Sequence, residues 1–149
     1  MRIRAATLDD CADLHRVQDS AIRGIHANKP MDKGVVDYLA KREPASYAQE
    51  MEAERFVVVE EGGQVVGYGA LHVPKTEITS VFVDPAHHRK GVGRAILSAL
   101  EKLAQEEGLE TVQLRATGTA IIFYLATGYQ SDPPVKPGAE WALMKKKLC

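Results

Sequence analysis

The sequence predicts a mixed α/β fold in which a central sheet is flanked by helices, and three features support this. Two β-branched runs, residues 56–59 and 78–83, have the composition of buried strands. A helical period of apolar residues at 96–104 follows the second run. Glu61-Gly62-Gly63-Gln64 is a strong hairpin-turn signal. Because strands come before, between and after helices, the strands are expected to lie in the centre of the fold.

The remaining elements follow from local signals. Thr7 and Asp10 resemble a capping box at the start of the first helix. Gly67 and Gly69 indicate a bulge or close packing within a strand. The apolar residues of the first helix recur near one face: Leu8, Cys11, Leu14, Val17, Ala21 and Ile25. Polar and proline-rich stretches predict loops at 23–34 and 129–138. The predicted strands are 2–6, 55–60, 65–73, 77–83, 111–115 and 140–147, and the later helices are 35–41, 45–54, 92–107 and 119–127.

Length and composition limit the classes of function. The chain of 149 residues is 45% hydrophobic and 26% charged, which predicts one globular domain over residues 1–149. A net charge of −1 argues against nucleic-acid binding, which usually requires a basic excess. No apolar run approaches the roughly 18 residues that span a bilayer, and no signal-peptide pattern is present, so we expect a cytoplasmic protein. Cys11 and Cys149 have no metal or redox spacing, and we expect reduced thiols rather than a disulfide.

A glycine-rich turn, residues 87–94, joins the strand at 77–83 to the long helix. Glycine allows backbone to approach a ligand closely, and the first N–H groups of a helix have no intrahelical partner. Such a turn can bind a phosphate or pyrophosphate, although a basic, solvated turn is the alternative. A Walker loop is excluded because no Gly-Lys-Ser/Thr follows, and the dinucleotide pattern fails because Ile96 occupies its third glycine position.

Two stretches resemble motifs of the GNAT superfamily of N-acetyltransferases. His88-Arg89-Lys90-Gly91-Val92-Gly93 resembles the acetyl-CoA motif Gln/Arg-x-x-Gly-x-Gly/Ala. The stretch from Thr117 to Tyr129 resembles Asn-x-x-Ala-x-x-Phe/Leu-Tyr-x-x-x-Gly-Phe/Tyr. The two occur in the family's order. The resemblance implies a mixed central sheet of six to seven strands, flanked by helices, whose fourth and fifth strands splay apart around the pantetheine arm of the cofactor.

The resemblance implies acetyl-CoA as cosubstrate and a set of binding residues. The pyrophosphate would lie on the backbone amides of residues 89–94, and the pantetheine would pair with backbone groups of Val81 and Val83. The N–H of Val81 would polarise the acetyl carbonyl. The implied cofactor-binding residues are Val81, Phe82, Val83, His88, Arg89, Lys90, Gly91, Val92, Gly93, Arg94, Thr117 and Phe123.

The resemblance also implies catalytic roles for Tyr124 and Glu77, beside the backbone of Val81. Tyr124 matches the tyrosine that commonly acts as general acid, and its alternative role is packing beside Phe123. Glu77 matches the glutamate that is the general base in the histone-acetylating branch, and its alternative is a solvated strand end. On a regular strand Glu77 shares a face with Val81 unless a bulge intervenes.

Two residues depart from the motifs. His88 replaces Gln or Arg, which should weaken pyrophosphate binding rather than abolish it, and Thr117 replaces Asn. Adjacent His87 and His88 have no further metal ligand nearby in sequence, so we predict no metal. The predicted function is transfer of an acetyl group to a primary amine of a small molecule or a protein. The alternative is an acyl-CoA-binding module without turnover, and a homodimer is an option by analogy with the family.

Overall fold

The computed structural model describes residues 1–136 and 138–148. Pro137 and Cys149 therefore lie outside the described residues, and so does the prediction about a Cys11–Cys149 disulfide. The strands are β1 (Arg2–Ala5), β2 (Arg55–Glu61), β3 (Gln64–His72), β4 (Glu77–Val83), β5 (Thr111–Thr117) and β6 (Trp141–Lys147). The α-helices are α1 (Cys11–Ile25), α2 (Lys33–Lys41), α3 (Pro44–Glu50), α4 (Val92–Glu106) and α5 (Ala120–Ala126).

These six strands form one mixed sheet in the order β1-β2-β3-β4-β5-β6, which confirms the predicted fold class. All neighbouring pairs are antiparallel except β4 and β5, which run parallel. Gln130 forms an isolated antiparallel bridge with Lys145, on the outer edge of β6. Gly62 and Gly63, with φ of 58° and 79°, make the predicted hairpin turn between β2 and β3.

Two apolar cores lie on the two faces of the sheet. Helices α4 and α5 cover one face, where Ile96 and Leu100 pack on β3 and β5 residues such as Val66 and Leu114. On the other face, α1 and α3 pack on β2 and β3. This arrangement leaves the ends of three helices, α1, α4 and α5, near the parallel pair β4 and β5.

Three local predictions were wrong. The helix predicted at 45–54 is α3, which ends at Glu50 because residues 51–53 form a turn before β2. The loop predicted at 23–34 includes the last turn of α1 and the first residues of α2. Leu8 lies outside the first helix and is 68% exposed, because the capping box at Thr7 opens a 3₁₀ turn before α1.

Gly67 and Gly69 allow α4 to lie close against β3. A bulge also lies beside Gly67, because Val59 pairs with Gly67 and Glu60 pairs with Val65, so both forms of that prediction are confirmed. A Cβ atom at Gly69 would lie 2.8 Å from Leu100 Cδ1 and 3.1 Å from the Ser80 carbonyl oxygen, and it would clash with Ile96. A Cβ atom at Gly67 would lie 2.9 Å from Val92 Cγ1. Helix α4 therefore packs against β3 at two positions that have no side chain.

We predict that Gly69→Ala lowers the free energy of unfolding by about 2 kcal/mol, the usual cost of overpacking a close-packed core. Urea denaturation monitored by circular dichroism measures it. Gly34→Ala in α2 is the matched control, since no atom lies within 4 Å of its added methyl group. The control should be neutral or stabilise the protein by up to about 1 kcal/mol. Equal effects of the two substitutions would contradict the close packing of α4 against Gly69.

Candidate active site

The parallel strands β4 and β5 meet at one end and separate toward the other. Their only register pair within the described residues is Glu77 with Gln113. There the Gln113 N–H donates to the Thr76 carbonyl at 2.9 Å, and the Gln113 side-chain amide donates to the Lys75 carbonyl at 3.0 Å. This is the splay at the fourth and fifth strands that the resemblance implied.

The gap leaves backbone groups of β4 without a strand partner. Beyond β4, the Asp84 N–H donates to the Val66 carbonyl of β3 at 2.9 Å. Because backbone groups alternate in direction along a strand, the N–H and C=O groups of Val83 and Val81 face the gap. Buried backbone groups need hydrogen-bond partners, so this edge is suited to a ligand with an extended polar chain.

A β-bulge at Thr79 changes the directions of the side chains along β4. Ala70 pairs with Ser80 and Leu71 pairs with Ile78, so Thr79 is an extra residue in β4. Ile78 and Val81 consequently both belong to the core under α4. Alternation then places Glu77 on the opposite face, toward α1 and α3. The condition that no bulge intervenes between Glu77 and Val81 is not met, and the two do not share a face.

A cavity of about 760 Å³ occupies the gap, and its lining comes from both faces of the sheet. Val92 and Tyr124 line it on the α4 and α5 face, while Ala21 and Ile25 of α1 line it on the other. The cavity therefore runs through the sheet between β4 and β5. Twelve of the predicted site residues line it: Val81, Phe82, Val83, His88, Arg89, Gly91, Val92, Gly93, Arg94, Thr117, Phe123 and Tyr124. Glu77 and Lys90 are not among the lining residues.

The glycine turn presents backbone amides and positive charge at one mouth of this cavity. Arg89 and Gly91 have φ of 62° and 80°, and Gly91 is the N-cap of α4. Left-handed residues beside a helix N-terminus turn consecutive N–H groups toward one concave site for anions. The side chains of Arg89, Lys90 and Arg94 form no salt bridge with any described residue. The site therefore favours a polyanionic ligand group.

His87 is half-buried, whereas its neighbour His88 is exposed. The Nδ1 atom of His87 lies 3.4 Å from Glu61 Oε2, and the same atom is buried without a hydrogen bond. Within the described residues, no three His, Cys, Asp or Glu side chains are close enough to hold a metal ion. The absence of a metal stays a prediction.

Tyr124 lies deep in the cavity, 9% exposed, in an aromatic cluster. Its ring centroid is 5.1 Å from that of Phe123 and 5.7 Å from that of Tyr129, both in edge-to-face orientation. Burial raises the pKa of Tyr124 to about 12. Phe123 is held in turn by α4, since a Cβ atom at Gly93 would lie 3.2 Å from its Cζ. The phenol is therefore protonated at neutral pH and faces the same cavity as the gap-facing backbone of Val81.

Several lining residues were not predicted as site residues. Ala21 and Ile25 were assigned to the apolar face of the first helix, because the sequence does not show that the end of α1 reaches the gap. Arg115 and Thr119 line the cavity beside Thr117. The signal for Arg115 was present, since it is a cation at an outward position in a strand that leads to a motif.

Comparisons with known proteins agree with this geometry. The family model described as acetyltransferase (GNAT) domain matches residues 52–131, which is more than half of the chain. An uncharacterised N-acetyltransferase of Methanocaldococcus jannaschii is 26% identical over 162 residues, covering 98% of this chain and 66% of the relative. The chain thus spans slightly less than two thirds of that relative's length. No helix in the described part of the chain is long and apolar enough to cross a membrane.

Two solved structures share the fold over nearly the whole chain. PaiA N-acetyltransferase of Thermoplasma acidophilum, in complex with coenzyme A, has a TM-score of 0.84 at 16% identity, covering 98% of each chain. YncA of Salmonella typhimurium, solved with its cofactor acetyl-CoA, has a TM-score of 0.67 at 25% identity, covering 100% of this chain and 94% of that one. On its motifs, its splayed sheet and the family match, this chain belongs to the GNAT family of acetyltransferase domains.

Proposed function

We propose that this chain is an acetyl-CoA-dependent N-acetyltransferase that transfers the acetyl group directly to a primary amine in a ternary complex. The observation that carries the proposal is the cavity that joins an anion-binding turn to Tyr124 through a gap in the sheet. Two similar structures contain coenzyme A or acetyl-CoA, which supports this choice of cosubstrate. The proposal takes residues 1–149 as one domain.

Acetyl-CoA binds with its pyrophosphate on the amides of residues 89–94, where Arg89, Lys90 and Arg94 add charge. Lys90 acts through its backbone and its long-range charge, since it does not line the cavity. The pantetheine amides pair with the gap-facing backbone of Val81 and Val83, as an added strand would. Thr117 and Phe123 complete the pantetheine wall. The N–H of Val81 donates to the acetyl oxygen and stabilises the negative charge that develops there.

Tyr124 is the general acid in this proposal. The amine nitrogen attacks the acetyl carbon, the carbon–sulfur bond breaks, and the thiolate receives the phenolic proton of Tyr124. The proton that the new amide nitrogen loses then restores the phenol. Support comes from its position in the cavity. Because burial raises the pKa of Tyr124 to about 12, the phenol holds its proton at neutral pH and gives it up only within a hydrogen bond to the leaving sulfur.

Glu77 is the general base, acting from the α1 face of the sheet. It stands at the vertex of the gap beside Gln113, half-buried, on the face opposite to Val81. A base on that face takes the proton of an acceptor ammonium that approaches from the α1 side, directly or through one water. Acceptor and cosubstrate then enter from opposite faces and meet between the strands.

The acceptor is the amine of a small molecule or of a protein. Residues 23–34 and 131–138 carry charges of both signs, and neither sign dominates: Arg23, His26, Lys29, Asp32, Asp132 and Lys136. A homodimer through the outer edge of β6 is compatible with the fold, because Gln130 covers that edge at one bridge only within the described residues.

The first test is isothermal calorimetry of acetyl-CoA against acetyl-pantetheine, which lacks the pyrophosphate. We expect micromolar binding of acetyl-CoA and much weaker binding of acetyl-pantetheine, because the amide site holds the pyrophosphate. Gly91→Ala should weaken the binding of acetyl-CoA several-fold, because an alanine at φ of 80° carries backbone strain of roughly 1–2 kcal/mol in the turn that holds the pyrophosphate. Gly108→Ala is the matched control, since φ is 81° there, and both glycines have open space around them.

Equal affinity for the two ligands would contradict the amide site. Tight acetyl-CoA binding without acetyl transfer to any amine in a broad acceptor screen would instead support the alternative function, an acyl-CoA-binding module without turnover.

Substitution of Tyr124 by phenylalanine tests the general acid. Tyr124→Phe should lower kcat by roughly tenfold or more, at the low end of acid–base effects, with little change in acetyl-CoA affinity. Tyr129→Phe is the matched control, because it also removes a phenolic oxygen from the aromatic cluster. The Tyr129 hydroxyl donates to Glu101 at 2.8 Å and does not face the cavity. That control should lose about 1 kcal/mol of stability and keep its kcat. An unchanged kcat in Tyr124→Phe removes this residue from the mechanism.

Substitution of Glu77 by glutamine tests the general base. An amide cannot accept the ammonium proton, so Glu77→Gln should lower kcat at neutral pH by about tenfold or more and flatten the alkaline rise of the rate. Steady-state rates across a pH series measure it. Glu106→Gln, at the exposed end of α4, is the control for a lost carboxylate. A pH profile identical to that of the original protein excludes Glu77 as the base.

A further inference from the structure

The face of β5 and β6 that lies opposite α4 and α5 carries exposed apolar and basic side chains. Val112, Leu114 and Met144 point into the core under α4, so the alternating residues point the other way. Trp141 and Leu143 are 60% and 42% exposed on that other side. The apolar core built there by α1 and α3 contains no residue of β5 or β6. A tryptophan and a leucine side by side on an open sheet face indicate a binding surface.

The charges on this face all have one sign. Arg115, Lys145 and Lys147 are exposed there and form no salt bridge with any residue in the described ranges. Residues 111–117 and 141–147 contain no Asp or Glu. Lys146 is different, because it lies on the core side and pairs with Glu101 at 3.0 Å. We call the set Arg115, Trp141, Leu143, Lys145 and Lys147 the basic face.

The strand register connects the basic face to the cavity. Trp141 pairs with Thr117 and Leu143 pairs with Arg115, and both partners line the cavity. Lys145 pairs with Gln113, which in turn pairs with Glu77 at the vertex of the gap. From Trp141 to Lys147 the face extends roughly 20 Å, the length of about six extended residues. The face therefore runs along the whole gap and is longer than a small amine.

We propose that the acceptor is an acidic peptide segment, whose amine enters the gap toward Glu77 while its carboxylates lie along the basic face. This proposal rests on the proposed acetyl transfer and names its substrate class. Three unpaired cations complement two or three peptide carboxylates, and they attract acidic acceptors over basic ones. Trp141 and Leu143 supply apolar contact for the peptide backbone and side chains. Glu77 of β4, which is separated from Lys145 by Gln113, is a carboxylate and stands where the acceptor's positive amine belongs.

The test compares two matched pairs of synthetic peptides as acceptors. In each pair one peptide carries four glutamates beside the amine and the other four glutamines. One pair has a free N-terminal amine, and the other has a blocked terminus and one lysine. We expect kcat/KM to favour the glutamate peptide about fivefold or more in at least one pair, since exposed ion pairs are individually weak but three act together. The preference should shrink at high salt.

Removal of two of the three cations from the enzyme should reduce the preference. Lys145→Gln together with Lys147→Gln should lower kcat/KM for the glutamate peptide and leave that for the glutamine peptide unchanged. Lys102→Gln, an exposed lysine of α4 on the opposite layer, is the matched control. Equal kcat/KM for glutamate and glutamine peptides in both pairs overturns the proposal, even if small amines are acetylated.

A second readout does not depend on turnover. Trp141 is the only tryptophan of the chain, so its fluorescence reports binding at the basic face directly. Titration with the glutamate peptide should change this fluorescence saturably, and the glutamine peptide should not. If this difference appears but no acetyl transfer occurs, the result contradicts the proposed acetyl transfer and supports the acidic-peptide surface. No change with either peptide, or a dimer that requires Trp141 and excludes the peptide, overturns the proposal.

Discussion

The structure depends on one interruption in the backbone hydrogen bonding of its sheet. The parallel strands β4 and β5 share a single register pair within the described residues, Glu77 with Gln113, and then separate. Val81 and Val83 are left with gap-facing backbone groups that a sheet would normally satisfy. A gap of this kind is stable only if other contacts hold the two strands in place, and a ligand with amide groups satisfies what the missing pairs do not.

Those other contacts come from the helices on one face, since α4 packs on β3 and β4 and α5 packs on β5. The close approach of α4 at Gly67 and Gly69 seats the helix across β3, so its N-terminus opens beside the end of β4. The same helix approaches Phe123 through Gly93, which fixes the aromatic cluster around Tyr124. Three glycines thus set the distance between the N-terminus of α4, an open strand edge and a buried phenol. The bulge at Thr79 then decides which β4 side chains face each side of the gap.

Sequence reasoning succeeded where a signal is local. The strand composition at 56–59, the turn at Gly62 and Gly63 and the helical period after Gly91 each depend on neighbouring residues, and the structure has all three. The bulge at Thr79 was not predicted, because it arises from the pairing of two strands and neither strand shows it alone. The contribution of Ala21 was missed for the same reason, since the gap that it lines is a tertiary feature.

The two faces of the sheet give the proposed acid and base different surroundings, which the chemistry requires. Tyr124 sits among aromatic rings, where burial raises its pKa to about 12 and keeps the proton on the phenol until a thiolate forms. Glu77 sits half-buried at the opposite face, beside the polar Gln113. A carboxylate placed in the aromatic cluster would be desolvated as well, and it would hold its proton instead of taking one from an ammonium. The bulge that turns Glu77 away from Val81 therefore places the proposed base and the proposed acid on opposite faces of the sheet, so that the two proton transfers occur at separate positions.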